Sequence, residues 1–139
     1  MRDRVIEKVG LAVIIAGRLL VVRKHGSATF ILPGGKPEPS ETRLETLARE
    51  IFEELGCGVL EPYFLGSFAD RAADASGGVN VHLYKGDLKG APVAQAEIEE
   101  LDWIDLHCAV SKPLAPSIMN QILPFLRNLT DSGPMRAMG

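Results

Sequence analysis

Glu50, Glu53 and Glu54, in the stretch REIFEELG, are spaced so that a helix would carry all three carboxylates on one face. A helix turns about 100° per residue, and like charges at i,i+3 and i,i+4 repel by roughly 0.2–0.5 kcal/mol per pair. A divalent cation removes the conflict. Hard Mg2+ takes oxygen ligands, keeps several waters and shares its remaining positions with substrate phosphates, and Mn2+ suits the same donors. Stability given up in the metal-free helix is then recovered on binding. The competing reading is a solvated acidic face whose repulsion is screened and tolerated. Three features weigh against it. Pro33-Gly34-Gly35 lies just before the helix, where glycine lets backbone approach a ligand and carbonyls point inward. Arg49 and Glu41 flank the acidic face, about two turns apart, where they can hold carboxylates in place. The neighbouring arc of the helix is apolar and would pin it to a sheet as a rigid platform.

The elements around this face follow from patterning. A helix is expected over residues 40–55, with Ser40 as N-cap, Glu41 in the first turn and Gly56 at the left-handed stop. Its apolar residues Leu44, Leu47, Ala48, Ile51 and Leu55 fall within an arc of about 100°. Upstream, residues 9–15 and 19–22 are rich in β-branched side chains and are separated by Ala16-Gly17-Arg18, which reads as a hairpin. Phe30-Ile31-Leu32 is a short strand stopped by the Pro-Gly-Gly turn. Downstream, residues 59–68 read as extended with an interruption at Pro62, and residues 69–78 as a surface loop. Residues 79–85 and 101–104 read as strands. A second helix is expected over 117–129, with Pro116 near its start and Pro124 kinking or breaking it. The last ten residues, TDSGPMRAMG, are expected to fray. Without a repeat or linker, residues 1–139 read as one mixed α/β domain.

Bulk properties narrow the function. With 46% hydrophobic and 24% charged residues, the chain has the make-up of an ordinary globular domain. A net charge of −3 argues against binding a nucleic-acid polymer, which calls for a basic footprint. An acidic chain can still act on small anions when a cation mediates. Cys57 and Cys108 form no CxxC or Cys/His cluster and read as buried free thiols of a reducing compartment. No apolar run reaches the roughly 18 residues that span a bilayer, and MRDRVIEKVG lacks a signal-peptide core. A cytoplasmic protein with no membrane partner is expected, and monomer and homodimer both stay open.

From Gly35 to Cys57 the sequence resembles the Nudix box, the 23-residue signature of Nudix hydrolases. Gly35, Glu41, Arg49, Glu50, Glu53, Glu54 and Gly56 match its fixed identities, and Cys57 stands where the last aliphatic residue would be. The flanks LLVVRK, FILPGGK and AEIEELDWIDL look like Nudix surroundings. The resemblance implies an α/β/α sandwich with a mixed sheet, the box helix on one face and the C-terminal helix packed as a second layer. It implies Mg2+-dependent hydrolysis of a nucleoside diphosphate linked to another group X. Glu50, Glu53, Glu54 and the Gly34 carbonyl match metal ligands, Arg49 looks like the residue orienting Glu50, and Glu41 supports it. The general base is either Glu50 or a downstream carboxylate among Glu97, Glu99 and Glu100. Glu97 is preferred among these, because relatives carry a metal-binding glutamate at that place.

Substrate contacts are expected from Arg23, Lys36, Gly35 and Ser117. Arg23 follows an apolar strand from which it can reach a substrate phosphate, and reads nearly as well as a surface salt bridge. Ser117 reads as a helix N-cap, or as standing near where guanine-reading relatives carry an amide. Trp103 reads as core, and His25 and His82 carry no role. The GGK turn and the EIEELDW segment look like compact (d)NTP pyrophosphohydrolases, including those that clear oxidised nucleotides. The alternatives are an ADP-ribose or ADP-sugar pyrophosphatase, whose proline beyond the box has no counterpart at residues 71–74, and a catalytically silent nucleotide sensor.

Overall fold

β1 (Val5–Ala12) alternates between exposed and half-buried residues up to Lys8 and is buried on both faces from Val9 on, in a computed structural model that describes residues 4–74 and 76–131. β1 pairs antiparallel with a two-residue strand at Gly34–Gly35 and parallel with a long strand at Gly78–Lys89. That long strand pairs in turn with Gly58–Arg71. At Val13 the chain leaves this sheet and enters a second one.

In chain order the further strands are β2 (Ile14–Ile15), β3 (Arg18–Lys24), β4 (Phe30–Ile31), β5 (Gly34–Gly35), β6 (Gly58–Arg71), β7 (Gly78–Lys89) and β8 (Ile98–Asp105). The first sheet has the order β5-β1-β7-β6; in the second, β3 carries β2, β4 and β8. The expected hairpin is β2–β3. Its turn residues Ala16 and Gly17 have φ of 53° and 75°, the two left-handed residues of a type I′ turn, whose twist matches that of the strands.

Side-chain alternation divides the core. Val9, Leu11, Val13, Leu20 and Val22 face one way and pack with Leu47, Ile51 and Leu55 of α1 (Arg43–Leu55). Ala12, Leu19 and Val21 face the other way, with Val79, Val81 and Leu83, and are covered by Ile118, Ile122 and Leu126 from the C-terminal helices. This is the expected layered α/β arrangement with a helix on each side. The difference is that the strands form two sheets, of which the first is mixed.

α1 starts later than Ser40. Thr42 is the N-cap: its Oγ1 accepts the Glu45 N–H at 3.1 Å, and the Glu45 carboxylate accepts the Thr42 N–H at 2.9 Å. This reciprocal box stabilises a helix start by about 1 kcal/mol. Ser40 instead has a left-handed φ of 68° in the turn that Glu38 and Glu41 close, so Glu41 precedes the cap and is not in the first turn. Gly56 ends the helix at φ 71°, as expected. The buried stripe is also rotated from the expected arc. Leu44 is 50% exposed and Ala48 is exposed, while Thr46 and Glu54 are buried, because the helix packs on β5 as well as on the sheet core.

β6 runs past the expected limit to Arg71, with its pairing interrupted between Leu60 and Tyr63 where Pro62 sits. The loop is therefore shorter than 69–78, and Ala75 within it lies outside the described residues. Ser67, His82 and Glu7 form a polar ladder across β6, β7 and β1, with His82 Nδ1 2.7 Å from Ser67 Oγ and Nε2 2.6 Å from Glu7. It satisfies a buried imidazole.

Pro124 has the expected effect. Residues Ile118–Ile122 form a π-helix closed by the Leu123 N–H on the Ile118 carbonyl, and α2 (Leu123–Asp131) follows. Proline, lacking an N–H, fits the first turn of α2, where that donor has no partner inside the helix. Thr130 and Asp131 belong to α2, and the rest of the expected frayed tail, 132–139, lies outside the described residues. Cys57 is buried as expected but Cys108 is exposed, since it sits in the turn beyond β8. Among the described residues no helix is long and apolar enough to cross a membrane.

Candidate functional site

The site begins at a backbone approach that only glycine permits. Gly34 pairs with Gly10 at φ 143°, and a Cβ there would stand 2.0 Å from the Val9 carbonyl oxygen. This close approach brings the Gly34-Gly35 turn under the acidic side of α1. The Gly34 N–H donates to Glu54 Oε1 at 3.1 Å. Glu54 is 2% exposed. Burial pushes its carboxyl up to about 8, against the pull of the Gly34 N–H, and the charge of Glu50 adds to the rise. Lys24 and Lys8 act in the opposite sense.

Glu50 lies over Gly35 so closely that a Cβ on that glycine would be 2.4 Å from its carboxylate. Burial raises the Glu50 pKa as well, while the Arg49 hydrogen bond lowers it. Arg49 grips Glu41 with two bonds, Nε to Oε2 at 2.7 Å and Nη2 to Oε1 at 2.9 Å. The same guanidinium donates to Glu50 Oε2 at 3.1 Å and to the Lys36 carbonyl at 3.1 Å. Thr46 Oγ1 donates to Glu41 at 2.8 Å. The Arg49 bond holds the Glu41 carboxyl down at about 2, and Glu41 in turn keeps Arg49 firmly protonated. Arg49, Glu41 and Glu50 are thus brought into direct hydrogen-bond contact. Glu53 differs from its neighbours: its side chain is 54% exposed and approaches Arg49 only at 3.7 Å.

The three downstream carboxylates are each tied to the end of β3 or the residue after it. Glu97 pairs with Lys24 at 3.2 Å, Glu99 with His25 at 2.5 Å and Glu100 with Arg23 at 2.7 Å. The charge of Glu97 is felt at Glu50. Arg23 also donates to the Ser27 carbonyl at 2.8 Å, so the salt-bridge reading accounts for it. Lys36 lines a separate open hollow with Glu7 and Pro37.

Beside the turn lies a cavity of about 290 Å³ between β1, β7 and the π-helix. Its walls include Ile6, Val79, Val81, Ile118 and Ile122, with Thr29 and Ser117 supplying hydroxyls and Lys8 and Lys24 supplying charge. Ser117 is buried and makes no capping bond, so it is a wall residue of this cavity and not a helix cap. The strand-like bridge between Phe30 and Leu114 holds it there. Arg23 does not line the cavity; Lys24 does. The pairing of β3 with β8 shifts between those two residues, which breaks the alternation that a sequence reading relies on. Lys8 was missed in the sequence, where one signal was available: it shares the alternation of Ile6 and Gly10, the inward side of β1.

The donor set suits a hard divalent cation. Buried Glu54 and half-buried Glu50 meet at one turn with raised pKa values, Arg49 being shared between Glu50 and Glu41, and such a pair would suit a hard divalent cation, which takes oxygen ligands without a full protein cage. Among the described residues no three His, Cys, Asp or Glu side chains converge as a ready-made cage, so the expected set of Glu50, Glu53, Glu54 and Glu97 is not assembled as one cluster. Glu50 and Glu54 would hold the ion, with Glu53 at the solvent side.

Comparison with known proteins gives the chain relatives in both sequence and fold. The curated Uncharacterized Nudix hydrolase YvcI of Bacillus subtilis (strain 168) is 27% identical over 103 residues, 71% of this chain and 65% of that protein. The solution structure of the E. coli ORF135 protein superposes with a TM-score of 0.77 at 26% identity, covering 95% of each chain. The MutT protein of Methanosarcina mazei Go1 shares the fold with a TM-score of 0.75 at 21% identity, over 96% of this chain and 99% of that one. The NUDIX domain model matches residues 7–126, a span that takes in the glycine turn and the acidic helix, and the chain belongs to the NUDIX domain family.

Proposed function

We propose that the protein is a Mg2+-dependent hydrolase of nucleoside diphosphate derivatives, with (d)NTPs, oxidised ones included, as its favoured substrates. The observation that carries this reading is the Gly34-Gly35 turn, where half-buried Glu50 and buried Glu54 pack and which pairs with Val9 and Gly10, two wall residues of a base-sized cavity also edged by Lys8 and Lys24. The base and sugar occupy the cavity and the diphosphate crosses the turn toward α1. When bound, Mg2+ neutralises the diphosphate, activates water and holds the groups in line. Arg49, braced by Glu41, fixes the Glu50 carboxylate. Burial raises the Glu50 pKa, and in this reading its carboxylate takes the proton of the attacking water as a new P–O bond forms. The anhydride P–O bond breaks, and the second phosphate leaves with the electron pair. Glu97, within reach of the Glu50 charge, is the second candidate for that proton.

A nucleotide panel with Mg2+, read by phosphate or pyrophosphate release, tests the proposal. Turnover on one or more triphosphates is expected, and tight nucleotide binding with no turnover on any member would turn the reading into a sensor. Glu53→Gln should lower turnover by orders of magnitude while leaving the melting temperature unchanged, because Glu53 is exposed and the change removes repulsion. Full activity in that variant would contradict its role as a ligand.

A further inference from the structure

We infer that Lys8 is the residue that grips the nucleotide's first phosphate, so that the nucleoside monophosphate half of the substrate binds to the chain without any metal. The inference rests on the nucleotide reading above and assigns one residue within it. Lys8 stands on β1, half-buried, and lines the cavity. Its ammonium makes no hydrogen bond or ion pair with any described residue. Lys24, the other cation of the cavity, is already paired with Glu97 at 3.2 Å. Lys8 is also within reach of the charges of Glu54, Glu50 and Lys36. It thus lines the cavity and stands within reach of the charges of the acidic helix, on the route that the nucleotide reading gives to the phosphate attached to a ribose in the cavity.

A half-buried ammonium without a partner is costly, and it offers three donors and no acceptor. A phosphate oxygen satisfies it, and a charge-assisted bond of that kind is about twice as strong as a neutral one. The rest of the diphosphate meets the carboxylates of α1, which repel it unless a cation intervenes. The two halves of the substrate should therefore differ in their need for metal. The monophosphate half depends on Lys8, and the remaining phosphates depend on the ion.

The test uses the whole chain in EDTA, with binding of a nucleoside, its 5′-monophosphate and inorganic pyrophosphate measured by calorimetry. The base is whichever the turnover panel favours. The monophosphate should bind at least about tenfold more tightly than the nucleoside, the gain of about one charge-assisted bond. Pyrophosphate should bind only when Mg2+ is added. Lys8→Met should remove the monophosphate gain and leave nucleoside binding intact, and Lys8→Arg should restore part of the gain. An equal gain in wild type and Lys8→Met would overturn the inference while leaving the hydrolase reading standing. Absence of nucleoside and monophosphate binding alongside turnover on the panel would also overturn it. Absence of turnover on every member counts against the hydrolase reading instead.

Discussion

Glu54→Gln should abolish most turnover and, at the same time, flatten the dependence of metal-free stability on pH. The Glu54 carboxyl titrates near 4.5 in an unfolded chain and near 8 in the folded one, chiefly because burial disfavours its charge. Below about 4.5 both states hold the proton and the fold loses nothing. Between about 4.5 and 8 the folded state binds more protons than the unfolded, so stability declines as pH rises, and above about 8 the decline stops. The loss is on the order of a few kcal/mol for a shift of this size. Glutamine keeps the shape and still accepts the Gly34 N–H, but carries no charge to bury. Melting in EDTA between pH 5 and 8 should fall steeply in wild type and only weakly in the variant, where Glu50 is the remaining site carboxyl with a raised pKa. In wild type near pH 7, Mg2+ binding should release a proton, seen as a buffer-dependent heat of binding. A variant whose melting fell with pH as steeply as wild type would show that the buried charge is not at this position.

The reach of the sequence ended where side-chain direction begins. Spacing alone places Glu50, Glu53 and Glu54 on one helical face, and the chain does that. It does not tell which carboxylate is buried. That is decided by the helix packing against Gly34-Gly35, a contact between residues 20 apart that turns Glu54 inward and leaves Glu53 in solvent. The Arg49–Glu41 clasp was legible because it sits within a few turns of one segment. The cap was not, since Ser40 and Thr42 are both capping residues and only the reciprocal bond to Glu45 chooses between them. Strands were found by their β-branched runs, but their division into two sheets rests on the crossing at Val13, which has no local signature. The cavity was the least legible part. Its residues come from β1, β3, β4, β7, the π-helix and several loops between them, and the shift between Arg23 and Lys24 reverses the face that alternation assigns.

Gly35→Ala should separate catalysis from folding. Gly35 does not have a left-handed φ, so alanine is acceptable to its backbone. The added methyl would meet the Cδ and Oε2 atoms of Glu50 at 2.4 Å. Glu50 is a flexible side chain, so it yields by swinging off the turn and away from Arg49. The fold should survive with a melting temperature lowered by only a few degrees. Turnover should drop by about a hundredfold, the effect of moving a reacting group by about 1 Å. Gly34→Ala is the contrasting case. Its φ of 143° and the 2.0 Å approach to the Val9 carbonyl put a backbone atom in the way, and that atom cannot yield without breaking the β1–β5 pairing. This variant should lose stability outright. The displaced carboxylate can be identified by combining Gly35→Ala with Glu50→Gln. If the methyl acts only through Glu50, the double variant is no slower than Glu50→Gln alone, because the two changes remove one interaction. Independent, multiplying losses would mean that the methyl blocks the substrate's path across the turn, and the contact between Glu50 and Gly35 would then have no part in positioning the base.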